Sequence, residues 1–260
     1  MAEGRSGSPI PSDGAPPLEL APASADLKQH LVRECPMFQG IPHEGSREVA
    51  RRARNLVARR HGLLLREGEP AHLFGYLYSG RFKLLQTRAA GSEVVVRLAV
   101  SGQVLGGLGL SPGEVDTATA VALETSHLLT WERRDLEKLF DLYPVLPLNA
   151  LRIQARRLRE RDERYRELAT ERVPQRLART LLRLVRPAGR RFEDGVFGDV
   201  PLSRADLAEL TGTTLFSVSR VLSEWSSQGI VRSRRERVVI EDLRLLGAIA
   251  QAAAARSPTA

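Results

Sequence analysis

The stretch GTTLFSVSRVLSEW, residues 212–225, has the apolar spacing of an amphipathic helix. Successive residues turn about 100° around a helix, which separates its apolar side chains from a second face. That second face combines hydroxyls, an aromatic ring and one guanidinium, unlike the acidic and basic face of a helix that only meets solvent. The alternative is that this face only meets solvent, and the surrounding sequence distinguishes the two interpretations. The apolar face holds Leu215, Val218, Val221, Leu222 and Trp225, and the second face holds Thr213, Phe216, Ser217, Arg220, Ser223 and Glu224.

A second helix is predicted directly before this stretch. Ser203 and Asp206 have capping-box spacing, so a helix begins there, and Gly212 ends it. The following helix begins at Thr213 or Thr214, because both are good N-cap residues. The sequence therefore predicts two helices joined by a tight glycine turn.

The segment GIVRSRRERVVI, residues 229–240, predicts two short strands around an arginine-rich turn. With the two helices, this basic hairpin predicts a winged helix-turn-helix. Its second helix fits the DNA major groove, where a guanidinium on guanine gains about 1–3 kcal/mol of discrimination. Phosphate contacts add affinity without sequence information. The predicted base readers are Thr213, Phe216, Ser217 and Arg220, and the predicted phosphate contacts are Ser203, Arg204, Thr214, Arg232, Arg234 and Arg235.

Composition limits the classes of function. The chain has 260 residues, enough for about two domains. Its net charge of +8 favours a polyanionic partner, nucleic acid first. Cys35 is the only cysteine, which excludes a disulfide framework and a four-thiolate site and fits a reducing, cytoplasmic setting. No apolar run approaches the roughly 18 residues that cross a bilayer, so no membrane partner is expected.

Composition and periodicity divide the chain into five parts. Residues 1–24 are rich in Pro, Gly, Ser and Ala and predict a disordered tail. Residues 25–132 begin as short helices to about residue 56 and continue as β-rich runs broken by glycines, which predict an antiparallel β-roll. Residues 133–170 are predicted as a dimerisation helix region, 171–248 as the winged helix-turn-helix and 249–260 as a C-terminal tail. The predicted fold class is α+β.

A long helix is predicted from Pro144 onward. Its apolar residues alternate in steps of three and four for about three heptads, on an otherwise densely charged helix. A narrow stripe of this kind predicts pairing with a second copy of the chain, and the alternative is packing on its own domain. Asp162 lies on the stripe, where a polar residue costs stability and tends to fix register or meet a ligand. The predicted dimer seam is Leu148, Leu151, Ala155, Leu158, Asp162 and Tyr165.

Four stretches resemble the Crp/Fnr superfamily of transcription regulators. LFGYLYSGRFKLL resembles its early β-hairpin, GQVLGGLGL the turn that opens its ligand pocket, ARRLRERDERYRELATERVPQRLARTLLRL its dimer helix and hinge, and LSRADLAELTGTTLFSVSRVLSEW its helix-turn-helix. The resemblance covers about residues 27–245. It implies an effector-sensing roll of the cyclic-nucleotide-binding, cupin-like type, a dimerising helix and a C-terminal winged helix. It also implies a homodimer that binds a two-fold-symmetric operator and contacts RNA polymerase, with Arg220 at the usual reader position. The reading helix looks closest to nitrogen-oxide-responsive members.

The pocket positions depart from the cyclic-AMP-binding members that the chain resembles. Those members use a glutamate for the ribose and an arginine–serine pair for the cyclic phosphate, where this chain has Gly107 and residues 115–117. A phosphate beside Asp116 would meet repulsion in place of a guanidinium. The resemblance therefore implies a pocket that does not take cyclic AMP in the usual mode. Its candidate residues are Gly106, Gly107, Leu108, Asp116 and Thr117, with Arg161 and Asp162 at the adenine-contacting positions.

Other cofactors of the family are also constrained. An iron–sulfur cluster needs several cysteines, which Cys35 alone cannot provide. Members that sense nitrogen oxides or carbon monoxide often use heme, and heme is left open here with His72 as the first candidate ligand. A single histidine in a strand-rich domain is more often a surface or core residue, and no other metal site is predicted. The further candidate ligands are His61, His127, Cys35 and Met37.

A transcription regulator is the main hypothesis. An enzyme is not expected, because the chain lacks GxSxG, phosphate-loop and HExxH motifs. The alternatives are a sensing or partner-binding protein whose winged helix contacts protein, and a constitutive regulator with a vestigial pocket. The mixture of Arg220, hydroxyls and a basic wing favours DNA, because a protein-contact face is more apolar.

Overall fold

A computed structural model of the chain describes residues 16–89, 91–111, 113–185, 198–234 and 236–252. These residues form two compact units, one ending at Arg159 and one beginning at Glu160. The boundary falls inside a single helix, α4 (Val145–Thr170), which therefore joins the two units covalently. No helix of the described ranges is long and apolar enough to cross a membrane.

The N-terminal unit combines helices with two antiparallel sheets. Strand order is β1-β2-β9-β4-β7 in the five-stranded sheet and β3-β8-β5-β6 in the four-stranded sheet. Every pairing within them is antiparallel, which confirms the predicted roll. The strands are β1 Glu19–Leu20, β2 Arg54–Ala58, β3 Leu63–Leu65, β4 Leu73–Ser79, β5 Arg81–Thr87, β6 Glu93–Val100, β7 Gln103–Gly106, β8 Thr119–Ala122 and β9 Ser126–Glu132. The helices are α1 Ala25–Glu34, a 3-10 turn Pro36–Phe38, α2 His43–Arg52 and α3 Arg133–Leu142, followed by the first part of α4.

An aromatic cluster joins these helices to the larger sheet. The ring centroids of Phe38 and Trp131 lie 4.8 Å apart, and those of Phe74 and Trp131 lie 5.7 Å apart. The indole N–H of Trp131 donates to the Val49 carbonyl at 2.9 Å, so the one polar atom of this buried ring is satisfied. A second core fills the space between the two sheets. It includes Leu56, Leu64, Leu77, Phe82, Leu105 and Leu128.

Two predictions at the N-terminus were wrong in part. The disordered tail predicted for residues 1–24 lies outside the described residues as far as residue 15, but Glu19–Leu20 form strand β1 on β2. An ion pair of 2.8 Å between Arg59 and Glu19 adds to this pairing, a contact that local composition does not reveal. The predicted helical segment also extended to about residue 56, whereas β2 begins at Arg54.

The C-terminal unit contains helices around a small sheet with strand order β10-β12-β11. Strands β11 and β12 form the predicted basic hairpin. The predicted tail at 249–260 begins too early, because Ala250 is buried on the last helix; residues 253–260 lie outside the described ranges. The elements are α5 Val173–Val185, β10 Gly198–Val200, α6 Arg204–Thr211, α7 Leu215–Ser227, β11 Val231–Arg234, β12 Arg237–Ile240 and α8 Leu243–Gln251.

Two glycines with similar backbone angles provide a test of the roll. Gly102 and Gly106 have φ of +87° and +81°, but a Cβ on Gly102 would meet open space. A Cβ on Gly106 would lie 2.1 Å from the Leu73 carbonyl oxygen. We expect Gly102→Ala to lower the free energy of unfolding by about 1–2 kcal/mol from backbone strain. Gly106→Ala should cost about 1–3 kcal/mol more from overpacking. Equal losses in urea denaturation would contradict the assigned packing.

Candidate nucleic-acid interface and sensor loop

The turn between α6 and α7 is fixed by backbone contacts. Gly212 has φ +59° and ends α6, and the N–H of Thr213 donates to the Ala208 carbonyl at 2.9 Å. The Arg176 guanidinium donates to the Thr211 carbonyl at 2.8 Å and to the Glu171 carbonyl at 2.5 Å. It therefore satisfies a carbonyl that the helix end leaves without an intrahelical partner. These contacts set the direction in which α7 leaves α6.

Both predicted helix starts are confirmed. The Ser203 hydroxyl accepts from the Asp206 N–H at 3.0 Å, and the Asp206 carboxylate accepts from the Ser203 N–H at 3.1 Å, a complete capping box. Thr214 is the N-cap of α7, and its hydroxyl accepts from the Ser217 N–H at 3.2 Å. Local sequence was sufficient here, because each cap is complete within four residues.

Helix α7 packs through one face and exposes the other. Val218, Val221, Leu222 and Trp225 are buried as predicted, but Leu215 is 49% exposed. Assigning Leu215 to the packed face was wrong, because the first residue of the helix lies at the end of the packed stripe. The helical period alone does not show where such a stripe stops.

The exposed face of α7 carries the predicted base readers. The Phe216 ring is 78% exposed, and Arg220 is exposed with no partner among the described residues. Thr213 and Ser217 are half-buried. An exposed ring beside an unpaired guanidinium can contact both apolar and hydrogen-bonding groups, such as those of base edges.

The side chains predicted to contact phosphate differ in whether they already have a partner within the protein. The Ser203 hydroxyl is committed to the capping box, where it also donates to the Asp206 carboxylate at 2.7 Å. Arg232 pairs with Glu241, and Arg234 is exposed. Thr214 offers a hydroxyl that also lies 3.0 Å from that of Ser217. The prediction for Arg235 falls outside the described ranges.

Arg204 connects three elements of this surface. Its guanidinium donates to the Ser219 hydroxyl on α7 at 3.4 Å and to the Ser233 hydroxyl on β11 at 3.2 Å. Sequence analysis missed both serines, because they are 15 and 29 residues away from Arg204. The arginine therefore links the wing to the helix pair.

The predicted dimer seam forms an exposed stripe on α4. In the N-terminal unit, Leu146, Ala150 and Ile153 are buried. The helix stops at Thr170 and α5 begins at Val173, so the helical path is interrupted within the stretch whose resemblance implied a hinge. The seam residues are all exposed, namely Leu148, Leu151, Ala155, Leu158, Asp162 and Tyr165.

The sensor loop, residues 106–117, contains a buried carboxylate. Asp116 is 5% exposed, and its Oδ2 atom has no hydrogen-bond partner within the described part of the chain. Burial raises the pKa of Asp116 to about 6, His72 opposes this shift, and Glu114 and Glu69 add to it. An anionic ligand would therefore meet an acidic neighbourhood.

Five of the seven predicted pocket residues lie on this loop. Gly106 ends β7, Gly107 follows it, and Leu108 is fully buried. Asp116 and Thr117 stand at the other end of the loop, with Thr117 exposed. The remaining two, Arg161 and Asp162, are exposed on the part of α4 that belongs to the C-terminal unit.

The candidate heme ligands lie in dissimilar surroundings. Cys35 and Met37 are fully buried in the helical core, and burial raises the pKa of the Cys35 thiol to about 12, which keeps it protonated. His72 is exposed, with Nδ1 3.1 Å from the Pro70 carbonyl oxygen. His127 is half-buried, and its ring centroid lies 5.8 Å from that of Tyr78. His61 is also exposed, and the described residues contain no group of three His, Cys, Asp or Glu arranged to hold a metal ion.

Comparison with known proteins shows the family. The Crp-like helix-turn-helix domain matches residues 175–249, and the cyclic nucleotide-binding domain matches residues 56–143. The cyclic AMP receptor protein of Thermus thermophilus is 30% identical over 220 residues, which cover 84% of this chain and 98% of that protein. The chain therefore belongs to the Crp/Fnr family, and it is a transcription regulator and not an enzyme.

Two further comparisons give a second relative and a solved structure with the same fold. The global nitrogen regulator of Nostoc sp. is 28% identical over 175 residues, covering 66% of this chain and 78% of that protein. FixK2 from Bradyrhizobium japonicum has the same fold, with a TM-score of 0.64 at 24% identity over 78% of this chain and 99% of that chain.

The raised pKa of Asp116 predicts a pH-dependent stability. The folded protein holds the proton of Asp116 more tightly than the unfolded chain does. The contribution of this group to the free energy of unfolding therefore falls as the pH rises from about 4 to 6. Asp116→Asn should raise the free energy of unfolding at pH 7 by about 1–3 kcal/mol, and the gain should vanish below about pH 4. Asp141→Asn, at an exposed position of α3, is the control. A gain that persists unchanged at pH 4 would contradict this assignment.

Proposed function

We propose that this Crp-family regulator binds a specific DNA operator as a homodimer. The exposed face of α7 supports this proposal most directly. It combines the exposed guanidinium of Arg220 with hydroxyl groups near the start of a helix that follows a tight turn. In helix-turn-helix proteins the corresponding face enters the major groove. Two copies related by a two-fold axis would place two such helices about one DNA turn apart.

Base reading and phosphate binding fall to different residues. Arg220 is proposed to donate to guanine, with Thr213 and Ser217 on neighbouring bases and Phe216 on a thymine methyl. The wing and the start of α6 supply positive charge to the backbone of the DNA. The proposed phosphate contacts are Ser203, Arg204, Thr214, Arg232, Arg234 and Arg235. The capping box already uses both the hydroxyl and the N–H of Ser203, so Ser203 would donate to a phosphate only if that box opened.

A protein-contacting winged helix is the competing function. The adjacent exposure of Leu215 and Phe216 favours it, because apolar side chains are typical of protein interfaces. Selection from a pool of random duplexes separates the two. A single enriched, two-fold-symmetric sequence supports the operator, whereas weak and salt-sensitive binding without enrichment would leave protein contact as the better function.

Dimer formation is proposed to use the exposed stripe of α4. Four large apolar side chains at heptad spacing are 47% to 76% exposed, which is costly unless a partner covers them. They are Leu148, Leu151, Leu158 and Tyr165. We further propose that the bound dimer contacts RNA polymerase, as the family membership suggests.

The sensor is proposed not to take cyclic AMP in the usual mode. One relative is named a cyclic AMP receptor, and the matched domain is of the cyclic nucleotide-binding type. In this chain, however, Gly107 offers no carboxylate to a ribose, and Asp116 offers a negative charge near the place of a phosphate. A constitutive regulator with a vestigial pocket is the alternative, and the similarity of α7 to nitrogen-oxide-responsive members stays a prediction.

The absorption spectrum and native mass of protein purified from its own host address the sensor directly. A Soret band would identify heme, for which His72 is the proposed ligand, and a mass excess would identify a bound nucleotide. The apo mass with no visible absorption supports an empty or vestigial pocket. Stoichiometric cyclic AMP would contradict the proposed sensor.

Arg220 is the residue whose replacement tests base reading. Arg220→Ala should cost about 1–3 kcal/mol on the selected operator and relax preference at one guanine, because a bidentate contact is lost. Fluorescence anisotropy on operators substituted at each base measures both effects. Arg244→Ala, at an exposed arginine of α8, should leave base preference unchanged. Preserved preference in the Arg220 variant would show that this residue does not read a base.

The dimer seam is tested with two variants, one that places a carboxylate in the seam and one that places it outside. Leu151→Asp should raise the dimer dissociation constant about tenfold or more, because an unpaired carboxylate in an apolar seam is costly. Gln154→Asp puts the same group on an exposed position of the same helix outside the seam, so it should change little. Sedimentation equilibrium measures both variants. A stable dimer in Leu151→Asp would place the interface elsewhere.

A further inference from the structure

The chain places one of its own carboxylates on backbone amides of the sensor loop. Glu114 Oε1 accepts from the Leu108 N–H at 3.3 Å, and Glu114 Oε2 accepts from the Gly109 N–H at 3.1 Å. Gly109 has φ +70°, the left-handed conformation that lets consecutive N–H groups converge. Converging amides of this kind bind anions. The N–H groups of Leu108 and Gly109 are termed the amide nest.

A guanidinium completes the surroundings of this carboxylate. Arg133 Nη1 lies 3.9 Å from Glu114 Oε2, and the same side chain donates to the Ser111 carbonyl and, at 2.9 Å, to Glu137. The Glu114 and Arg133 side chains are 20% and 21% exposed. Two amides and one arginine together form the donor set that oxyanions such as carboxylate and phosphate prefer.

Backbone pairing directs Glu114 into the nest. Pro70 and Val115 form an antiparallel bridge, and the Ala71 N–H donates to the Glu114 carbonyl at 2.9 Å. A Cβ on Gly107 would lie 2.7 Å from that of Ala71 and 3.3 Å from the Glu114 carboxylate. A glycine is therefore needed for the loop to close over this side chain.

We propose that Glu114 is the resident occupant of an oxyanion site and determines the ligand specificity of the sensor loop by excluding phosphate-bearing molecules. An incoming phosphate would have to displace a carboxylate tethered a few residues away, whose effective concentration is high. It would also meet the negative charge of Asp116. The inference rests on the proposed function in one respect, that the sensor does not take cyclic AMP in the usual mode.

Removing the resident carboxylate tests the proposal on the full-length protein. Inorganic phosphate and cyclic AMP are titrated while the Gly109 amide resonance is followed by NMR. Glu114→Ala should bind inorganic phosphate at least about tenfold more tightly than the wild type, because the nest is vacated. Glu137→Ala is the matched control, since it removes a carboxylate from the same arginine and leaves the nest filled. It should bind phosphate no better than the wild type.

Glu114→Gln gives a second reading if the alanine variant does not fold. Its side chain has the same length, but it is neutral and has one acceptor atom, whereas the carboxylate uses a separate oxygen for each N–H. Phosphate binding should therefore rise, by less than in a folded Glu114→Ala protein. Wild-type affinity in every folded Glu114 variant would overturn the inference, as would an equal gain in Glu137→Ala.

Titration of the wild-type protein distinguishes a failure of this inference from a failure of the proposed function. Stoichiometric binding of cyclic AMP to the wild type would contradict the proposed specificity of the sensor. It would also contradict the proposal that Glu114 blocks the amide nest. If the wild type does not bind cyclic AMP and the Glu114 variants gain no phosphate binding, only the role of Glu114 is wrong.

Discussion

The orientation of α7, the proposed DNA-recognition helix, depends on the left-handed turn at Gly212. A side chain there would be strained at φ +59°, and its Cβ would lie 2.6 Å from Leu168 Cδ2. Arg176 fixes the same turn from α5 by donating to the Thr211 carbonyl. With the turn held, α7 has one orientation on α6, and Phe216 and Arg220 point away from the core. The base-reading proposal follows from this local constraint.

The sensor loop shows how a shared fold can carry a different set of charged groups. The domain has the fold of the family, and its loop combines two carboxylates, Glu114 and Asp116, with the guanidinium of Arg133. Glu114 occupies backbone donors that an oxyanion could use, and one oxygen of the buried Asp116 has no hydrogen-bond partner among the residues that the structure describes. A buried carboxyl without a partner lowers the stability of the protein. Such a group is retained when it has a function, or when selection no longer acts on the site. The proposed altered sensor and the vestigial pocket correspond to these two cases.

Sequence analysis succeeded where a few neighbouring residues are sufficient. The capping box at Ser203 and the N-cap at Thr214 are complete within four residues, and the β11–β12 hairpin follows from one short segment. It failed where contacts join distant segments. Strand β1 needs β2, and the nest contact of Glu114 depends on the bridge between Pro70 and Val115. The exposure of Leu215 depends on where packing ends, which periodicity does not specify.

The central claim is that two chains of this protein together read one operator. The most direct measurement is the native mass of the complex between the full-length protein and its selected duplex. We expect two chains per duplex, with no complex containing a single chain at saturating protein. A saturated complex of one chain per duplex would contradict it, because one recognition helix cannot read a two-fold-symmetric site.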